Sequence, residues 1–216
     1  MAQRCKGLNS KCFLFTYLMI VGFLLVLWMN RLPLFYDDQR QIPQDLQLYL
    51  ESPPRQLSDF SLETANKLTL TNNWFENKWS FVYFSHLNCL PQCQSSLETL
   101  SKLQNAFASN QIQFLIIGLD RKDESITQLT QFLDSQNVSV PVATADETTI
   151  EQLAKTFIAL FLKTDYSDGS YQIEQEHHIF VVDPKGRVYA TFRPPYDPSD
   201  ITMLFSKIRL FYAKSE

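Results

Sequence analysis

The 216 residues are enough for one domain of ordinary size plus an appendage. Hydrophobic residues make up 45% of the chain and charged residues 19%, a balance that supplies a core and argues against general disorder. A formal net charge of -4 with no basic stripe excludes nucleic acid as a partner, and four cysteines, two of them Cys5 and Cys12 at the N-terminal end, exclude a multi-disulfide scaffold.

From residue 12 to residue 29 the run CFLFTYLMIVGFLLVLWM carries no charge. At a helical rise of roughly 1.5 Å per residue it covers about 27 Å, enough to cross a bilayer. Arg4, Lys6 and Lys11 precede it, while Asp37 and Asp38 follow soon after Arg31, so the N-terminus is expected on the cytoplasmic side. The run ends in LWMNRLPLF, without the small residues of a signal-peptidase site, which predicts an uncleaved anchor. The expected organisation is a cytoplasmic N-terminus (1–11), a single transmembrane helix (12–29), a polar, proline-containing stalk (30–54) and a globular domain (55–216).

In the globular part, residues 68–70 read as a short strand and Trp79 to Phe84 as a continuous apolar one, covered on both faces. Leu97, Leu100, Leu103 and Phe107 then recur at steps of three and four, the inward stripe of a helix. Phe114 to Leu119 is a second buried strand. Ser125-x-x-Gln128 is a capping box for a helix with Ile126, Leu129, Phe132 and Leu133 inward. Val140 to Ala143 offers a third strand, with Pro141 at an edge or a strand start. Ile150, Leu153, Ala154, Phe157, Ile158 and Phe161 trace a further amphipathic helix capped by Thr148. His178 to Val182 and Val188 to Phe192 flank the turn Asp183-Pro184-Lys185-Gly186 as a hairpin, and Ser199 caps a last helix. The order β-α-β-α-(β)-α-β-β-α predicts an α/β, thioredoxin-like fold.

The chemistry gathers in FVYFSHLNCLPQCQ, residues 81–94, where the first buried strand meets a helix. Positions four apart lie one above the other on a helical turn, so Cys89 and Cys93 can share a metal ion or close a disulfide. The positive end of the helix favours thiolate. Ligands in open α/β sheets collect beyond the carboxyl ends of the strands, where this junction lies, which weighs against two merely packed cysteines. Two soft sulfurs suit Cu(I) or a thiol/disulfide couple, whereas structural zinc would call for a second cysteine pair that this part lacks. Of the three histidines, His86 either fills the junction or serves as a ligand, and alternation puts His177 and His178 on opposite faces, so at most one of that pair meets the cysteines.

With LSDFSLETANKLTL at 57–70, NKWSFVYFSHLNCLPQC ending at Cys93, and HIFVVDPKGRVYATFRPPYDP at 178–198, the chain resembles the Sco (SenC-type) family of membrane-anchored, thioredoxin-like copper proteins. That resemblance implies assistance in building the CuA centre of cytochrome c oxidase. It implies copper, as Cu(I) or Cu(II), on Cys89, Cys93 and a later histidine, with the two cysteines also cycling as a redox pair. The family's histidine position falls on Gln175 here, a poor ligand for Cu(I). His177, on the same strand face, is the expected substitute, with His178 and no histidine at all as the alternatives. Gln94 and the Asp120-Arg121-Lys122-Asp123 loop also depart from the family pattern, marking a divergent member.

The resemblance further implies a copper acceptor as partner, subunit II of cytochrome c oxidase or another protein, and a thioredoxin-like reductant. The expected location is a bacterial inner membrane, single-pass, with the globular domain in the periplasm. The competing reading is a thiol-disulfide reductase that keeps the acceptor's copper-site cysteines reduced. A peroxidase is disfavoured because no T-x-x-C nucleophile motif is present.

Overall fold

The computed structural model describes residues 10–31, 42–107, 111–120 and 123–215, and the chain divides into two compact units, Met1–Pro43 and Gln44–Glu216. In the first, α1 runs Ser10–Arg31, with side chains described from Leu14 to Trp28. Among the described residues no helix is long and apolar enough to cross a membrane. The expected stalk lies in part outside the described residues.

The second unit is built on an eight-stranded sheet in the order β1 (Leu50–Gln56), β10 (Arg187–Phe192), β9 (Ile179–Val182), β4 (Trp79–Ser85), β5 (Ile112–Gly118), β6 (Val142–Thr144), β2 (Leu62–Thr64) and β3 (Thr69–Leu70). Its centre is β4 (Trp79–Ser85), every residue of which is buried. It pairs in parallel with β5 (Ile112–Gly118) and antiparallel with β9 (Ile179–Val182). Such a strand must be apolar on both faces, and the run WSFVYFS is nearly so. Phe81 faces one layer, where Phe114, Phe107 and Phe205 close around it at ring-centroid distances of 5.1, 5.7 and 4.9 Å. These rings come from β5, the end of α2 (Gln94–Ala106) and α5 (Pro198–Ser215). Phe84 points the other way, toward Phe157 of α4 (Glu147–Phe157) at 5.5 Å. A sheet between helical layers, with the β4-α2-β5 crossover on one side of β4 and the β9-β10 hairpin on the other, is the expected mixed α/β, thioredoxin-like fold.

The predicted order of elements stands, with four corrections. The folded unit starts at residue 44, not 55. Leu46 is buried, and β1 (Leu50–Gln56) pairs with β10 (Arg187–Phe192) inside the span expected as stalk. Pro53 and Pro54 suggested a linker because they cannot donate to a ladder; here they sit on the sheet's edge strand, where the register shifts between Leu50 and Arg55. Arg55 then donates to the carbonyls of Thr156 and Phe157 at 2.8 and 3.1 Å, a cation on the C-terminal end of α4.

Second, α4 stops at Phe157 rather than reaching Phe161. Ile158 adopts φ +56°, outside the helix, and is half exposed. Third, Phe161 opens a hairpin that the helical reading hid, β7 (Phe161–Asp165) with β8 (Tyr171–Gln175). Its turn is set by Asp168, which accepts from the Ser170 N–H at 2.9 Å, and by Gly169 at φ +83°, a conformation that glycine adopts without strain. Fourth, the caps shift. Asp146, not Thr148, caps α4 by accepting from the Thr149 N–H at 3.0 Å, and Asp197, not Ser199, accepts the first free N–H of α5 at 2.9 Å. The helix α3 (Asp123–Ser135) begins before Ser125, whose side chain lies outside the described residues.

Candidate functional site

One wall of the site is the passage from β4 into α2. Backbone hydrogen bonding carries the β4-β5 ladder through Ser85, whose carbonyl accepts from the Leu119 N–H at 2.9 Å. The chain then turns through His86 to Leu90, and the Cys93 N–H donates to the Cys89 carbonyl at 3.1 Å, the first helical turn before α2. Cys93 is the N-cap residue of that helix. Both cysteines are buried and joined as a disulfide, with Cα atoms 5.4 Å apart. The Ser85 hydroxyl lies 3.7 Å from the Cys89 sulfur. Only Cys89 borders the adjoining cavity of about 460 Å³, so it is the sulfur an incoming group meets first.

The facing wall comes from the β7-β8 hairpin and the three residues that lead into β9. Tyr171, Ile173, Gln175 and His177 line the cavity opposite Cys89 and His86. Asp120, at the end of β5, ties the walls together: its carboxylate accepts from the Leu87 N–H at 2.7 Å and from the Tyr171 hydroxyl. Gln175 donates through Nε2 to the Phe84 carbonyl at 2.7 Å and reaches His177 Nδ1 at 3.3 Å. The Tyr83 hydroxyl, projecting from the middle of β4, lies 2.8 Å from the same Nδ1. The second amide atom of Gln175, Oε1, is buried without a partner.

Alternation holds as expected. His177 faces the cavity with Gln175, while His178 turns toward Glu176, 3.5 Å away, and the ring of Phe180. Burial pulls the pKa of each histidine below its ordinary value. For His86 the Asp120 carboxylate opposes that shift and His177 adds to it; for His177 the neighbouring His178 adds to it. The imidazoles bordering the cavity are therefore held toward the neutral form. Burial also keeps the hydroxyls of Tyr83 and Tyr171 protonated, with Asp120 reinforcing the effect at Tyr171.

Cys89, His86 and His177 thus meet at one cavity, with Cys93 directly behind Cys89. Among the described residues, no three His, Cys, Asp or Glu side chains stand close enough to hold a metal ion together. Reduction of the disulfide would release two thiols one helical turn apart, a donor set that fits a soft monovalent ion. Tyr83, Tyr171 and the bridging role of Asp120 are not among the residues singled out from sequence. The signals were slight: one tyrosine within the apolar run of β4, and Asp168-Gly169 between two stretches of alternating pattern.

The profile of the SCO1/SenC family matches residues 50–209. Among curated proteins, the mitochondrial SCO1 homolog 2 of Arabidopsis thaliana is 20% identical over 146 residues, 66% of this chain and 53% of the relative. The chain thus spans about half the length of this relative. Among solved structures, yeast Sco1 with copper bound superposes with a TM-score of 0.61 at 22% identity, covering 76% of this chain and 91% of that one. The thioredoxin domain of a thiol-disulfide oxidoreductase from Bacteroides vulgatus follows at a TM-score of 0.51 and 16% identity, covering 73% and 96%. Those structural likenesses establish the fold. With the profile covering most of the chain, from β1 into α5, around a cysteine pair at the carboxyl end of the central strand, the chain belongs to the SCO1/SenC family.

Proposed function

We propose that the reduced Cys89-Cys93 pair takes copper as cargo and hands it to an acceptor protein, subunit II of cytochrome c oxidase or another copper acceptor, during assembly of a CuA centre. The observation that carries this reading is the placement of the two sulfurs. They share one turn at the N-terminus of α2 beside a cavity bordered by neutral imidazoles. Copper bound there would contribute a strong preference for thiolate ligands. The chain's own part is to hold the sulfurs on one turn, stabilise thiolate at the helix end, and keep the site largely out of water. His177 borders the cavity on the wall that faces Cys89.

The apolar run over residues 12–29 serves in this reading as a single-pass anchor in a bacterial inner membrane, with the folded unit in the periplasm. Anaerobic titration of the reduced full chain in detergent with Cu(I) tests the copper reading. We expect about one equivalent bound, lost when both cysteines are replaced by serine. Binding that survives the double replacement overturns it.

A second reading is favoured by the disulfide itself. Cys89, the sulfur that borders the cavity, would attack an acceptor disulfide and release one acceptor thiol; Cys93 would then attack the mixed disulfide and release the second. Two electrons and two protons pass to the acceptor, and the Cys89-Cys93 disulfide is left for a thioredoxin-like reductant. Its test is the reduction potential: a disulfide that a thioredoxin-type donor cannot reduce removes this role.

A further inference from the structure

The hydrogen bonds behind His177 bear on which form of copper the site accepts, an inference that rests on the copper reading above. The Phe84 carbonyl only accepts, so the atom of Gln175 that sits 2.7 Å from it must be the amide nitrogen. Turning the amide over would set Oε1 against that carbonyl, acceptor to acceptor. The same Nε2 lies 3.3 Å from His177 Nδ1 and carries only hydrogens toward it, so Nδ1 meets it with a lone pair. The Tyr83 hydroxyl, 2.8 Å from Nδ1, donates to that lone pair as well. A neutral imidazole with an unprotonated Nδ1 carries its hydrogen on Nε2. One ring nitrogen is thus engaged by Gln175 and Tyr83, and the other bears a proton. His177 lines the cavity as a hydrogen-bond donor, without a free lone pair for a metal.

We propose that Gln175, fixed by the Phe84 carbonyl, withholds His177 from the metal, so that the reduced cysteine pair accepts Cu(I) on two sulfurs and does not hold Cu(II). Soft thiolates satisfy Cu(I) by themselves, whereas Cu(II) is stabilised by nitrogen and oxygen ligands. Cu(II) offered to the dithiol is consumed as an oxidant. Two Cu(II) ions each take one electron, the two thiols lose two protons to solvent, and the Cys89-Cys93 bond forms.

Three variants of the full chain, Gln175→Ala, Gln175→His and His177→Ala, are compared with wild type, reduced and anaerobic. Cu(I) is measured by competition with a chromophoric chelator, and Cu(II) by electron paramagnetic resonance, whose nitrogen hyperfine lines report an imidazole ligand. In His177→Ala the Cu(I) affinity is expected to change by less than about threefold, because the ring contributes no ligand. Wild type given Cu(II) is expected to yield disulfide and no nitrogen-coupled signal. Gln175→Ala frees Nδ1 to carry the proton and is expected to raise Cu(II) affinity by about 10–100-fold, with nitrogen coupling that His177→Ala in the same chain removes. Gln175→His places a second imidazole on this wall and should give nitrogen coupling even if truncation at residue 175 disturbs the hairpin.

The proposal falls if wild type shows nitrogen-coupled Cu(II) that His177→Ala abolishes, or if His177→Ala weakens Cu(I) by tenfold or more. It also falls if neither Gln175 variant gains a nitrogen-coupled signal. Failure of wild type to bind Cu(I) at all is the separate result that overturns the copper reading, and this proposal with it.

Discussion

The two walls of the cavity are held by different physics. The β4-α2 wall places its sulfurs by regular structure: a fully buried strand ends, a helix begins, and Cys89 and Cys93 fall on the turn between them. Close-packed rings on both faces of β4 fix that wall, and no single polar contact decides where the sulfurs stand. The hairpin wall meets the core through Ile173, with Phe161 and Tyr171 packed against it, and its polar groups are held in another way. Tyr171, Gln175 and His177 are positioned by individual hydrogen bonds, to Asp120, to the Phe84 carbonyl and to Tyr83. The first wall supplies the reactive atoms, and the second sets what reaches them. The second is also the one that a single substitution can retune.

Asp120 is where the comparison is most easily broken, since its buried carboxylate holds a backbone N–H of one wall and a tyrosine hydroxyl of the other. Asp120→Ala leaves both donors without a partner and is expected to cost roughly 2–4 kcal/mol, read from the urea midpoint of the full chain. Asp120→Asn, which keeps an acceptor oxygen, should cost less than Asp120→Ala. If Asp120→Ala unfolds within about 0.5 kcal/mol of wild type, the walls stand independently and the bridging role is wrong.

Reduction of the disulfide acts on the cysteine wall alone. Closing a loop between residues four apart removes little chain entropy, so opening it is expected to cost about 2 kcal/mol in the loop-entropy account. The measurement is denaturant unfolding with and without reductant, with a Cys89→Ser Cys93→Ser chain as the reference that reductant leaves unaffected. A loss several times larger would mean that the disulfide, and not the packing of β4, holds this wall together.

The same division explains how much was legible in the sequence. The cysteine wall follows from hydrophobic period and spacing: an unbroken apolar run, a break at Ser85, and leucines at steps of three and four after Cys93. The hairpin wall has no such signature. Phe161 continues the spacing of the α4 stripe, and only the left-handed Ile158 ends the helix, a conformation that no turn residue announces there. Tyr83 reads as one more strand aromatic, because its significance lies in a hydroxyl that reaches a residue 94 positions away. The facing of His177 and the reverse facing of His178 were legible, since alternation needs only the local chain. What engages Nδ1 of His177 comes from β4 and β8, far apart in the chain, and becomes visible only once they are folded together.

The smallest expected effect is the dependence of stability on pH, and it falls mainly on the hairpin side. Burial lowers the pKa of His86, His177 and His178 in the folded protein, so the unfolded chain binds protons more readily at these three sites. Their contribution is in place above the ordinary histidine value of about 6.5 and diminishes as pH falls through that value toward the lowered native ones. The exposed carboxylates of Asp146, Asp168 and Asp197, held down chiefly by their hydrogen bonds to Thr149, Ser170 and Ser199, act only near and below the ordinary aspartate value of 3.8. The interval from about pH 6.5 to pH 5 therefore belongs to the histidines. Urea midpoints should decline across it in wild type, and the decline should shrink in His177→Gln and shrink further when His86 is also replaced. If the slope is unchanged in both variants, the protons are taken up elsewhere, and the neutral imidazoles that border the cavity are not what the fold protects.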